Sequence, residues 1–230
     1  MFTMVFGTTE QAIAAARRLH QRHRRIGGTL VQAAGPFAAN SRYEANDVAA
    51  LCWVHATLID TALVAYHLVC PPLSAEERER YWTEALIFAA FFGIPEDALP
   101  RTWAAFAAGN EKMARSNVLT VTDAARSIAG AVLSGAGTRF RIPSWYRALT
   151  ARLLPARLRE DFGLSYGEPE RRKTERALAV LRGVYPWVPE RLRHVGPYQE
   201  ATARLAGRQR SGTATQLLNR FWIGQKSMAR

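Results

Sequence analysis

Apolar positions recur every three to four residues along most of this chain, and no stretch alternates strictly between apolar and polar. That pattern predicts helices almost throughout and no sheet. Thr8-Thr9-Glu10 caps a first helix over 11–26, with Ala12, Ala15, Ala16 and Leu19 on one face and Gly27-Gly28 at its end. Residues 29–46 read as a loop broken by Gly35-Pro36 and Asn40-Ser41. Asp47 caps a long apolar helix that Cys70-Pro71-Pro72 stops. Ser74 and Glu77 form a capping box for the next, which ends before Gly93-Ile94-Pro95. Further helices are expected over 100–118, from the Thr122-Asp123 cap to Leu133, from Pro143 to Leu154, over 155–158 and over 170–184. Ser134-Gly135-Ala136-Gly137 reads as a loop, and Pro186, Pro189 and Pro197 as breaks. The expected architecture is all-α, with one helical domain over 1–206 and a basic, loosely held tail over 207–230.

Composition fits a globular chain. Of the 230 residues 48% are hydrophobic, enough for a real core. Cys52 and Cys70 are too few for a disulfide scaffold or a four-thiolate metal site, and both fall in the apolar helix as buried free thiols. The formal net charge of +12 raises nucleic-acid binding. Its distribution argues against it. Residues 1–154 carry 16 basic and 12 acidic side chains, and 155–230 carry 15 and 7, so the excess is diffuse and lies mostly in the last third. No zinc-finger spacing, RNP-like strand or helix-turn-helix accompanies it, and no nucleic-acid partner is expected. Arg-rich helices beside Trp and Tyr suit peripheral contact with an anionic membrane surface better. Met1-Phe2-Thr3-Met4-Val5-Phe6 does not open like a signal peptide, so a cytoplasmic location is expected. Residues 49–70 are long enough to span a bilayer. They contain His55, Asp60 and His67, however, and an Asp at the centre of a span costs about 3 kcal/mol. A buried core helix carrying functional polar groups is the better reading.

Chemistry concentrates on that helix and on the first one. His55, Thr57, Asp60 and Thr61 crowd an otherwise apolar segment, where each buried polar group needs partners. His20 follows the Ala12–Ala16–Leu19 stripe, whereas His23 points toward the neighbouring arginines. One arrangement has His20 as the axial ligand of a haem iron, with His55 lining the pocket and Trp53, Phe88, Phe91, Phe92, Trp103 and Phe106 as its apolar wall. Another joins His20 and His55 to Asp60 or Glu84 in a two-His-one-carboxylate iron site. A satisfied core polar network remains as the structural alternative for His55.

A longer string then comes into view: Tyr43-x-Ala45-Asn46-Asp47-x-x-x-Leu51-x-Trp53-Val54-His55-Ala56-Thr57-Leu58-x-Asp60, followed by Ala65-Tyr66. Pro72-Leu73-Ser74-x-x-Glu77-Arg78-x-Arg80-Tyr81, Phe92-Gly93-Ile94-Pro95, Leu153-Leu154-Pro155-x-Arg157-Leu158-Arg159 and Phe162-Gly163-Leu164 extend it. Phe6-Gly7 before an Arg-rich helix ending in His20 completes it. Together they resemble the catalytic domain shared by bacterial rubber oxygenases (latex-clearing proteins) and the ER-bound oxygenase MpaB of mycophenolic acid biosynthesis. The resemblance implies a globin-like fold holding haem b, and oxidative cleavage of a carbon–carbon double bond in a hydrophobic, isoprenoid-type substrate by dioxygen. It implies His20 as the iron ligand and His55 as a second cofactor-binding residue. Thr57 and Asp60 join His55 as weak catalytic candidates. The family pattern carries a distal helix with an Arg and a Lys/Arg-Thr pair before Phe6-Gly7. It has no counterpart after Met1, so the sequence reads as truncated at the N-terminus. A non-catalytic binder of haem or another hydrophobic ligand, and a basic membrane-surface protein, stand as alternatives. Oligomeric state is not readable from these residues.

Overall fold

The computed structural model describes residues 1–136, 141–208 and 212–228. Gly137 of the expected loop, and residues 209–211 and 229–230 of the expected tail, lie outside the described residues. The domain is all-α. Its helices are α1 (Phe2–Phe6), α2 (Thr9–His23), α3 (Val48–Val69), α4 (Ala75–Phe91), α5 (Trp103–Arg115), α6 (Asp123–Ser134), α7 (Ser144–Leu153), α8 (Ala156–Asp161), α9 (Glu168–Val184), α10 (Glu190–Arg193), α11 (Gly196–Leu205) and α12 (Thr213–Ile223).

The caps work as the sequence suggests. Thr8 and Gln11 close a reciprocal box at the start of α2, and Ser74 and Glu77 do so at α4. Asp47 accepts from the Ala50 amide at the start of α3. Gly93, at φ +76, takes the left-handed conformation that turns the chain out of α4. One small correction concerns the expected loop over 29–46. Gly27–Thr29 (β1) and Arg42–Glu44 (β2) pair antiparallel, with Gly28 opposite Tyr43. Three exposed residues per strand are too few to leave an alternating pattern in the sequence.

The core lies where α3 crosses α4. Leu51, His55, Ile59 and Leu63 recur every fourth position and form the buried edge of α3. One cluster joins Met4, Leu51, Ala89, Phe92 and Ile94, with Ala15, Ala16 and Leu19 of α2 packed against it. A second joins Ile59, Trp82, Ala85 and Phe106, so α5 completes the site. Away from these clusters the helices stay open. The chain exposes 16040 Å², whereas a compact monomer of 25.6 kDa exposes about 10,400 Å².

The C-terminal segment differs from the loose tail expected of it. Helix α12 packs on α11, and Pro197 opens α11 where the sequence suggested a break. The buried Glu200 carboxylate accepts from Asn219 Nδ2, Ser227 Oγ and the Met228 amide. Gly196 lies so close to Asn219 that a Cβ there would collide with its side chain and backbone. Gln11 Nε2 donates to the Met228 carbonyl, and Arg204 donates to the carbonyls of Phe6 and Gly7. The C-terminus thereby grips α1 and α2. The buried hydrogen-bond knot is joined by aromatic contacts, Trp222 against Phe2 and Tyr198 against Phe6, both edge to face.

Glu200→Ala removes the buried carboxylate that Asn219, Ser227 and Met228 share and should cost about 3 kcal/mol in denaturant unfolding. Limited proteolysis should then cut within 206–228. Unchanged stability with a resistant C-terminus would contradict the knot.

Candidate functional site

Helix α3 is apolar nearly all round, so its buried histidine is the anomaly. His55 is fully buried, with Trp82 and Phe88 rings at centroid distances of 5.9 and 6.2 Å. Its Nε2 lies 3.0 Å from the Ala85 carbonyl on α4. A carbonyl only accepts, so Nε2 carries the proton. Burial pulls the imidazole pKa below its ordinary value, and the Ala85 bond opposes this only partly. The ring is therefore neutral at physiological pH, and Nδ1 holds a free lone pair. That Nδ1 is buried and has no hydrogen-bond partner.

Beside His55 lies an apolar cavity of about 550 Å³, within the range of small-molecule sites. His55, Cys52 and Trp53 line it from α3, Trp82 from α4, and Phe106, Gly109, Asn110 and Met113 from α5. Trp82 is held rigidly. It stacks on Phe106 at 4.2 Å and donates through Nε1 to the Pro100 carbonyl. Burial and the nearby Asp47 charge push the Cys52 thiol upward, so it stays protonated and is no nucleophile. A Cβ at Gly109 would meet nothing within 4 Å, so this wall is open.

The expected residues separate. His20 is solvent-exposed in the last turn of α2, outside the cavity lining, and its backbone carbonyl accepts from Asn46 Nδ2. The stripe that precedes it turns Ala12 and Leu19 toward the core and leaves His20 at the edge. Thr57 hydrogen-bonds back to the Val54 carbonyl of its own helix. Asp60 is exposed, with surrounding packing raising its carboxyl pKa, and Glu84 is exposed. Neither lines the cavity. Among the described residues no three of His, Cys, Asp and Glu converge to hold a metal ion, so the two-His-one-carboxylate arrangement is not assembled. Of the expected aromatic wall, Trp53 and Phe106 line the cavity. Phe88 and Phe92 pack edge to face in the first cluster, and Trp103 packs against the second. Trp82, Gly109, Asn110 and Met113 were not anticipated. Helix α4 carries no clear apolar stripe that would have singled out Trp82.

A family model described as the catalytic domain of the ER-bound oxygenase mpaB/B' and rubber oxygenase matches residues 1–187. The chain belongs to this family. It is an oxygenase family, whose reaction takes a small-molecule substrate and dioxygen. No curated protein and no solved structure matches the chain. The matched stretch contains His55, Trp82 and the whole cavity lining, and it ends before α10–α12.

The residues present suit a flat apolar cofactor with one imidazole ligand. A single neutral ring, fixed by a carbonyl at one nitrogen and unpaired at the other, borders a cavity walled by aromatics.

His55 also sets a pH dependence. An unfolded chain takes the proton near the ordinary imidazole pKa of 6.5, and the folded chain resists it to lower pH. The unfolded state binds more protons in that window, so stability is full above it and falls as pH drops through it. The thermal midpoint of the apo protein should decline from pH 7 toward pH 5, and His55→Phe should flatten that decline. Parallel profiles for the two proteins would show that His55 is not buried neutral.

Proposed function

We propose that this protein is a haem b-dependent oxygenase that cleaves a carbon–carbon double bond in a hydrophobic, isoprenoid-type substrate. The unpaired Nδ1 of the buried His55 beside the apolar cavity carries this reading. His55 is the residue proposed to hold the iron, in place of His20, whose exposure weighs against a ligand role. Haem b in this cavity supplies the redox centre that lets dioxygen react. The Ala85 carbonyl keeps the ring in one tautomer and orientation. Trp53, Trp82, Phe106 and Met113 exclude water and receive the apolar chain, while Gly109 leaves it room. The reaction balances without a reductant: the double bond breaks, and each of its carbons keeps one oxygen atom of dioxygen as a carbonyl.

A second reading has a specific observation behind it. No charged side chain lines the cavity among the described residues. This favours a hydrophobic-ligand binder that performs no chemistry. Carbonyl products from an isoprenoid under oxygen separate the two readings.

The purified protein reconstituted with haem should show a Soret band. His55→Ala should abolish it, and His20→Ala should leave it nearly intact. The reverse pattern restores His20 as the ligand, and a folded protein that takes up no haem removes the reading altogether. Gly109→Phe should fill the cavity wall and weaken binding of an isoprenoid alcohol at least tenfold without lowering stability by more than about 1 kcal/mol. Unchanged ligand affinity would place the substrate elsewhere.

A further inference from the structure

We propose that the face built from Val180, Val184, Trp187 and Leu192, bordered by Arg176 and Arg191, docks on a membrane surface rich in anionic lipid. This proposal is independent of the oxygenase reading.

Val180 and Val184 lie one helical turn apart on α9, and Trp187 and Leu192 follow on the short turns after it. Val180 and Leu192 are each 64% exposed, and Trp187 is 85% exposed. Arg182 lies about 160° round α9 from Val180 and Val184; its Nε donates to the Leu68 carbonyl, so the opposite side of α9 is held on α3 and the valines are left facing outward. The presentation is rigid. Pro186 and Pro189 flank the indole, and Arg193 donates to the carbonyls of Pro186 and Val188 while lying over the Tyr185 ring. Little conformational freedom is then lost when Trp187 inserts.

Charge complementarity names the occupant. In the first half of α9, Arg171, Arg172 and Lys173 are neutralised by Glu168, Glu170 and Glu175. In the second half the pattern stops. Among the described residues Arg176, Arg182 and Arg191 form no ion pair, and Glu190 is the one exposed acidic side chain from 176 to 208. An exposed indole beside unpaired guanidinia matches the lipid headgroup zone, where amphipathic rings settle and each basic residue adds attraction to anionic lipid.

The test is sedimentation of the full chain with vesicles of phosphatidylcholine alone, and of phosphatidylcholine with phosphatidylserine in a two-to-one ratio, at physiological salt. Binding is expected to the second only, and to weaken as salt rises. Arg176→Ala and Arg191→Ala should each weaken it about fivefold, and Trp187→Ala at least as much. All three side chains are exposed and outside the cavity, so circular dichroism and thermal midpoint should not change. Absence of wild-type binding, or equal binding by all variants, overturns the proposal. So does self-association in solution that Trp187→Ala abolishes, because the face would then belong to a second copy of the chain.

Discussion

The bond from His55 Nε2 to the Ala85 carbonyl is the constraint on which the centre of this structure depends. It joins the two helices that make the core, at a point where both are otherwise apolar. A helical carbonyl has a second lone pair, so Ala85 can accept from the ring without giving up its own helix bond. The same bond decides the chemistry. It consumes the only proton of a neutral imidazole and leaves Nδ1 as a bare acceptor inside the protein. An unpaired buried acceptor costs about 1–3 kcal/mol. A core selected for stability alone would place leucine here. Keeping the histidine makes sense where a ligand completes it.

The rest of the fold arranges surface around that point. Helix α3 buries one narrow edge, Leu51-His55-Ile59-Leu63, and leaves Val54, Ala62 and Ala65 facing outward. Its length and apolarity would let it cross a membrane, yet only 28% of its most apolar window is buried inside the domain. The open packing and the large exposed area have one physical cause. The helices meet through local pairs, α1 on α2, α7 on α9 and α11 on α12, with few contacts reaching across the molecule. The cavity at His55 lies beside this packing, where α5 closes on α3 and α4 through Trp103 and Phe106 and leaves Gly109, Asn110 and Met113 lining open space.

The helices were legible because their ends are written in side chains that act locally. Thr8, Asp47, Ser74, Thr102 and Thr122 each cap the helix they precede. His55 stood out for a similar reason, as a polar residue in an apolar segment. His55 was expected to line a pocket and does so, whereas the placing of His20 outside it was not legible. His20 and His55 both follow apolar neighbours, and only the packing of α2 turns Leu19 inward and leaves His20 outside. The carbonyl of Ala85 has no sequence signature, because every residue has one. The C-terminal order was hidden likewise. Glu200, Asn219 and Ser227 read as ordinary surface residues until the chain folds back and brings their polar atoms within hydrogen-bonding distance.

The central claim is that His55 holds a neutral imidazole, protonated at Nε2, with Nδ1 available to a ligand. Nitrogen NMR of the imidazole in the apo protein at neutral pH reads this directly. The expected spectrum has a protonated Nε2 and an unprotonated Nδ1 whose resonance shifts or is broadened away when haem is added. A proton on Nδ1, a charged ring, or a resonance indifferent to haem would contradict it.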